Sequence, residues 1–237
     1  MIANYTADGW EIITQRAHAL LAAQICARWK IADQPARWVE TLIAVAEHDD
    51  IFNEFERGPL VNEKGGPVDF KMTTFDLDAS TQLMRMAITK SSFIALLTAK
   101  HIAFTHGEEP KATAFLAALK REKKTWMKSA AVTEKELVSA YELLEFCDAF
   151  SLLICQNLIP PEERSLEISS GPGKKSYRFV EIKGELIVKP WPFEVASFEL
   201  NYEYRLIGQL SFSSDKDFRE ACLKTVAEQK KVKFSKG

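Results

Sequence analysis

The chain has 237 residues, 46% hydrophobic and 27% charged, with a formal net charge of -2. That balance excludes a disordered polyelectrolyte and supplies one substantial core with an appended lobe. It also argues against nucleic acid as a partner, because such binders carry a clustered basic excess.

From Glu11 to Lys30, apolar side chains at Ile13, Ala17, Leu20, Leu21, Ile25 and Trp29 recur at three and four, predicting an amphipathic helix. A second helix is expected from Pro35, tolerated in a first turn, to His48. Residues 57–70, RGPLVNEKGGPVDF, break regular structure and predict a long loop of the kind that often serves function. Helical pattern resumes from Asp78 towards His106, again over 111–128, and from Thr133 to Asn157, where Thr133 and Glu136 form a capping box.

After Pro160-Pro161 the composition shifts to β-favouring runs at 177–180, 186–188 and 198–204. A helix is predicted from Asp215 to Lys230, and Lys230, Lys231, Lys233 and Lys236 are expected in a solvated tail. The expected fold class is therefore mainly α: a helical bundle over 1–160, with a small C-terminal antiparallel β segment and terminal helix over 161–237 packed on it as one unit. The cysteines at 26, 147, 155 and 222 lack CxxC spacing and are expected reduced. No stretch reads as a signal peptide or membrane span, so a cytoplasmic address without membrane partners is the default expectation. A homodimer is expected on the general frequency of symmetric pairs.

Four residues interrupt this apolar plan. His18 lies on the inner stripe of the first helix. Asp148 has Leu144 and Leu152 one turn away on either side, a core position where an ionised carboxylate is costly unless paired or metal-bound. The run Ala44-Val45-Ala46-Glu47-His48-Asp49-Asp50 ends an apolar helix in carboxylates, which the partial negative charge of a helix C-terminus disfavours. A cation shared by His18, His48, Asp49 and Asp148 offsets both costs. Imidazole and carboxylate donors together suit manganese, zinc, nickel or iron, and helical bundles commonly build such sites from facing helices.

The ordered set His18, His48-Asp49, Asp148 resembles the H…HD…D signature of the HD-domain superfamily of metal-dependent phosphohydrolases. More fully, Gln15-Arg16-Ala17-His18, His48-Asp49-Asp50, Pro59-Leu60, Lys100-His101, the run Phe146-Cys147-Asp148-Ala149-Phe150-Ser151-Leu152 and Lys189-Pro190-Trp191-Pro192-Phe193 resemble a bacterial family, domain of unknown function 3891, that joins an HD-like bundle to a β-containing segment. One departure is that Asp50, Ile51 and Phe52 follow the HD pair, where HD hydrolases often place a glycine.

The resemblance implies a divalent metal held by His18, His48, Asp49 and Asp148, with His101 as a further ligand if two ions bind; His106, beside Gly107, has a plainer explanation as a helix-end residue. It also implies hydrolysis of a nucleotide or other small phosphate ester. In that scheme Asp50 or Glu54 serves as base, while Arg16 or Lys100 neutralises phosphate charge. Trp191 and Phe193 either cover the pocket or, more plainly, pack the sheet onto the bundle. A di-iron oxygenase and a non-catalytic ligand-binding module are the alternatives.

Overall fold

The computed structural model describes residues 1–51 and 53–237, so Phe52 lies outside the described residues. The N-terminus forms two strands, β1 (Ile2–Thr6) and β2 (Gly9–Ile13), before α1 (Gln15–Ala27) begins. The expected helix from Glu11 is thus corrected: its first residues are strand, and Thr14 caps α1 by accepting from the Ala17 N–H. Ala7-Asp8 makes the two-residue hairpin turn, with Thr6 paired opposite Gly9. Gly9 has a φ of 129°, and a Cβ there would stand 2.2 Å from the Ile207 carbonyl oxygen of a neighbouring strand.

Helices α2 (Trp38–Glu47), α3 (Leu77–Lys90), α4 (Ser92–His106), α5 (Thr113–Ala130) and α6 (Glu134–Cys155) follow. The helical stretch expected towards His106 is two helices, because extended Ser91 (φ -164°) ends α3 and caps α4 through Phe93. The capping box of Thr133 and Glu136 is present at the start of α6.

The C-terminal part contains β3 (Leu166–Gly171), β4 (Lys175–Ile182), β5 (Glu185–Lys189), β6 (Ser197–Ile207), α7 (Asp215–Lys224) and β7 (Glu228–Ser235). Among the described residues all seven strands join one sheet in the order β1-β2-β6-β7-β5-β4-β3, with β5 and β7 parallel and the other pairs antiparallel. The fold is therefore α+β with a large mixed sheet drawn from both ends of the chain. This overturns the expectation of a mainly α bundle carrying a small antiparallel C-terminal segment.

The lysine-rich end is likewise a central strand rather than a tail or a continuation of α7. Its lysines alternate with Val232 and Phe234, so Lys231 reaches out to Glu199 at 2.9 Å while Phe234 is buried. Lys230 pairs with Glu11 of β2 at 3.3 Å, across the boundary expected at residue 160.

Helices α1 and α6 pack on one face of the sheet, whereas α7 belongs to a separate cluster with Ile12 and Ile207. Leu21, Ile25, Leu144, Phe146 and Phe150 share a core with Phe179, Val188, Leu200 and Phe234. Each such fully buried side chain stabilises the fold by roughly 1.5–3 kcal/mol relative to exposure. Beneath the hairpin a second cluster gathers Ile12, Phe55, Leu60, Ile207, Phe212 and Phe218. Among the described residues no helix is long and apolar enough to cross a membrane.

Candidate metal centre

Three helices deliver the cluster. His18 is fully buried on the inner stripe of α1, His48 and Asp49 follow directly after α2, and Asp148 lies within α6. The His18 and His48 Nε2 atoms stand 3.2 Å apart. Asp49 Oδ2 lies 3.2 Å from the first and 3.4 Å from the second. Asp148 Oδ1 lies 3.6 Å and 3.3 Å from the same two nitrogens.

Hydrogen-bond accounting fixes what these atoms can do. Ser151 gives its hydroxyl hydrogen to the Asp148 carbonyl at 2.9 Å and so accepts from His18 Nδ1 at 2.8 Å. His48 Nδ1 donates to the Val45 carbonyl at 2.8 Å. Both imidazoles therefore spend their Nδ1 hydrogen outside the cluster and, when neutral, turn a bare Nε2 lone pair inward. With both rings neutral, four acceptor atoms converge, a surplus that a bound cation satisfies and that, without one, a proton on His48 Nε2 satisfies in part.

A divalent ion about 2.0–2.3 Å from each of several adjacent ligands, tetrahedral or octahedral, spaces them about 2.9–3.7 Å apart. The five separations that involve His18 or His48, 3.2–3.6 Å, fall inside that range. The donor set fits such an ion.

His101, on α4, extends the cluster. Its ring centroid lies 5.0 Å from that of His48. Donor atoms of His48, His101 and Asp148 lie within 4.8 Å of one another, and those of His18, His48 and Asp49 form a second such group. His101 Nδ1 is buried with no partner among the described residues.

The charges are mutually dependent. Burial works to lower the His48 pKa, but the Asp49 and Asp148 carboxylates outweigh it and raise it to about 10. Burial works to raise Asp49 and Asp148, yet His48 beside them holds both below the usual carboxylate range. Burial, then the charge of His48, lowers His101.

The centre opens on one side. Asp49, Asp148 and His101 line a cleft of about 1000 Å³ whose far wall is the segment from Glu54 to Ser80. The Asp49 side chain is 26% exposed, whereas that of His18 is fully enclosed, so access is through Asp49. Arg57 and Lys71 bring positive charge to the same cleft.

The matching family model, described as "Protein of unknown function (DUF3891)", covers residues 1–209. The chain belongs to this family. The match stops short of α7 and β7, and it includes every member of the cluster. No curated protein and no solved structure matches the chain.

The other residues singled out in the sequence stand elsewhere. Asp50 and Arg16 pair with each other at 2.8 Å and are absent from the cleft lining. Lys100 rests its Nζ 5.0 Å from the Tyr141 ring centroid, also outside that lining. Glu54 does line the cleft, but its carboxylate pairs with the Met1 ammonium at 2.7 Å and accepts from the Gln15 N–H at 2.6 Å. His106 also lines the cleft, but gives Nδ1 to Glu109 at 2.7 Å and packs on Phe75. Trp191 and Phe193 join the aromatic packing with Phe198, and Phe193 also meets Trp29 and Phe234.

Sequence reasoning passed over Ser151 and Gln15. Ser151 is three residues beyond Asp148, and Gln15 three before His18, so helical spacing put each on a ligand's face.

Proposed function

We propose that the chain is a metal-dependent phosphohydrolase of the HD type, acting on a nucleotide or other small phosphate ester. The observation that carries this reading is the convergence of four acceptor atoms, from His18, His48, Asp49 and Asp148, at 3.2–3.6 Å beside an open cleft. When bound there, a divalent cation supplies Lewis acidity and brings the ionisation of water near neutral pH.

The chain's own residues prepare the rest. Ser151 and the Val45 carbonyl hold the two imidazoles in the tautomer that presents Nε2. Asp49 faces the cleft, where a substrate phosphoryl group can approach. Arg57 and Lys71 offset its negative charge from the cleft wall, a task for which Arg16 and Lys100 are not placed. An enclosed site would instead favour a purely structural ion or a binding module; the exposure of Asp49 favours catalysis.

A second reading, a di-iron oxygenase of the HD type, is favoured by one observation. His101 has an unpartnered buried Nδ1, and its donor group with His48 and Asp148 stands ready for a second ion.

Metal-stripped protein reloaded separately with manganese, zinc, nickel or iron, and assayed for phosphate release from a panel of nucleotides and phosphomonoesters, tests the first reading. At least one combination is expected to turn over, and His48→Ala is expected to remove that turnover. Hydrolysis that survives in the variant, or none under any metal, would refute it. Two irons per chain with oxygen consumption and no phosphate release would favour the oxygenase.

A further inference from the structure

Asp49 is the member of the cluster that its own element holds least. Ser151 and Val45 fix the two histidines, and Asp148 sits within α6. Asp49 follows the end of α2 with its side chain 26% exposed.

Gln15 reaches it. The Gln15 Nε2–H donates to Asp49 Oδ2 at 2.9 Å, the oxygen that also faces His18 and His48. A carboxylate only accepts, so this contact determines which end of the amide points at Asp49. The opposite end, Oε1, is a buried acceptor without a partner among the described residues, on a side chain that lines the cleft. The Gln15 main chain is anchored independently, since its N–H donates to Glu54 and the preceding Thr14 caps α1. Replacing the side chain leaves those anchors in place.

We infer that Gln15 is a positioning residue of the metal centre: its amide N–H holds Asp49 towards the ion. This deepens the proposed function and rests on its metal centre. Side chains that orient metal ligands typically contribute about 10–100-fold to metal affinity. A purely scaffolding glutamine, tying α1 to the end of α2, would contribute to stability and leave affinity alone.

The test is the Mn²⁺ affinity of the metal-stripped full chain, measured by titration calorimetry on the parent, Gln15→Met and Gln15→Asn, beside the thermal midpoint of each metal-free protein. Methionine keeps the length without the hydrogen bonds, and asparagine keeps an amide too short to reach Asp49, so a folding defect in one leaves the other informative. Both variants are expected to bind Mn²⁺ about tenfold or more weakly, with metal-free midpoints within about 2 °C of the parent. Unchanged affinity in a folded variant would overturn the inference. So would weakened binding accompanied in both variants by a collapse of the metal-free midpoint, which is the scaffolding result. A parent that binds Mn²⁺ but hydrolyses no phosphate ester removes the phosphohydrolase reading while leaving the affinity comparison decisive for Gln15; a parent that binds no divalent ion removes both.

Discussion

A proton and a divalent cation compete for the same lone pairs at His48. Without metal, Asp49 and Asp148 keep its ring charged up to about pH 10 although burial opposes it. Because the folded pKa lies above the ordinary histidine value near 6.5, this interaction stabilises the metal-free fold fully below about pH 6.5. It is lost as pH rises towards 10. The lowered carboxylates act in the opposite sense: their contribution is present above the ordinary carboxylate range and lost as pH falls through their depressed values. A metal ion takes His48 only in its neutral form, so binding releases a proton from it. The expected outcome is release of about one proton per ion at pH 7.5, read by calorimetry in two buffers of different ionisation enthalpy. Affinity should also rise with pH across the window from about 6.5 to 10. A binding enthalpy independent of the buffer would show that His48 is not displaced from its proton, and hence is not a ligand.

At the scale of elements, what was legible in the sequence depended on whether the pattern was local. Helix α6 was readable because its capping box and apolar spacing lie within it, and the residues Asp148 and His18 stood out because each put a polar group on an apolar face. The hairpin β1–β2 was hidden because Ile13 fits two periods at once, the two of a strand and the three-to-four spacing of the helix that follows. Strand β7 was hidden because its lysines mimic a solvated tail; its alternation gains meaning only when β5 and β6 supply neighbours on both sides. Ser151 and Gln15 could be placed on the right faces, but their hydrogen-bond partners come from other helices or from a turn. The hairpin offers a direct test, since α1 and His18 follow it immediately. Gly9→Ala would force a side chain into positive φ and against the Ile207 carbonyl. It is expected to cost about 2 kcal/mol or more, against about 1 kcal/mol for Thr133→Ala at the α6 cap, both measured by urea unfolding. Equal losses, or a neutral Gly9→Ala, would mean that the approach of β2 to β6 is not constrained as the structure shows.

At the scale of the whole molecule, the sheet makes the two ends of the chain depend on each other. Strand β7 pairs with β6 and β5, and β6 carries β2 on its other edge, so the C-terminal strand stands between the N-terminal hairpin and the remaining strands. Phe234 is the central contact: it is buried, stacks on Phe198 at 4.8 Å and meets Phe150 of α6 edge-on at 5.8 Å. Because Phe150 and Asp148 share α6, sheet packing and the metal-ligand helix belong to one core. Phe234→Ala should remove about 3–5 kcal/mol, which for a chain of this size corresponds to a fall of roughly 6–20 °C in thermal midpoint. The helical signal in far-ultraviolet circular dichroism and the tryptophan fluorescence should fall together, because Trp29 lies in the same aromatic packing. If the helices instead held their original midpoint while the fluorescence transition moved alone, helices and sheet would unfold as separate units. The metal ligands would then ride on a bundle that does not need β7, and the shared core described by Phe150 and Phe234 would not be the element that couples them.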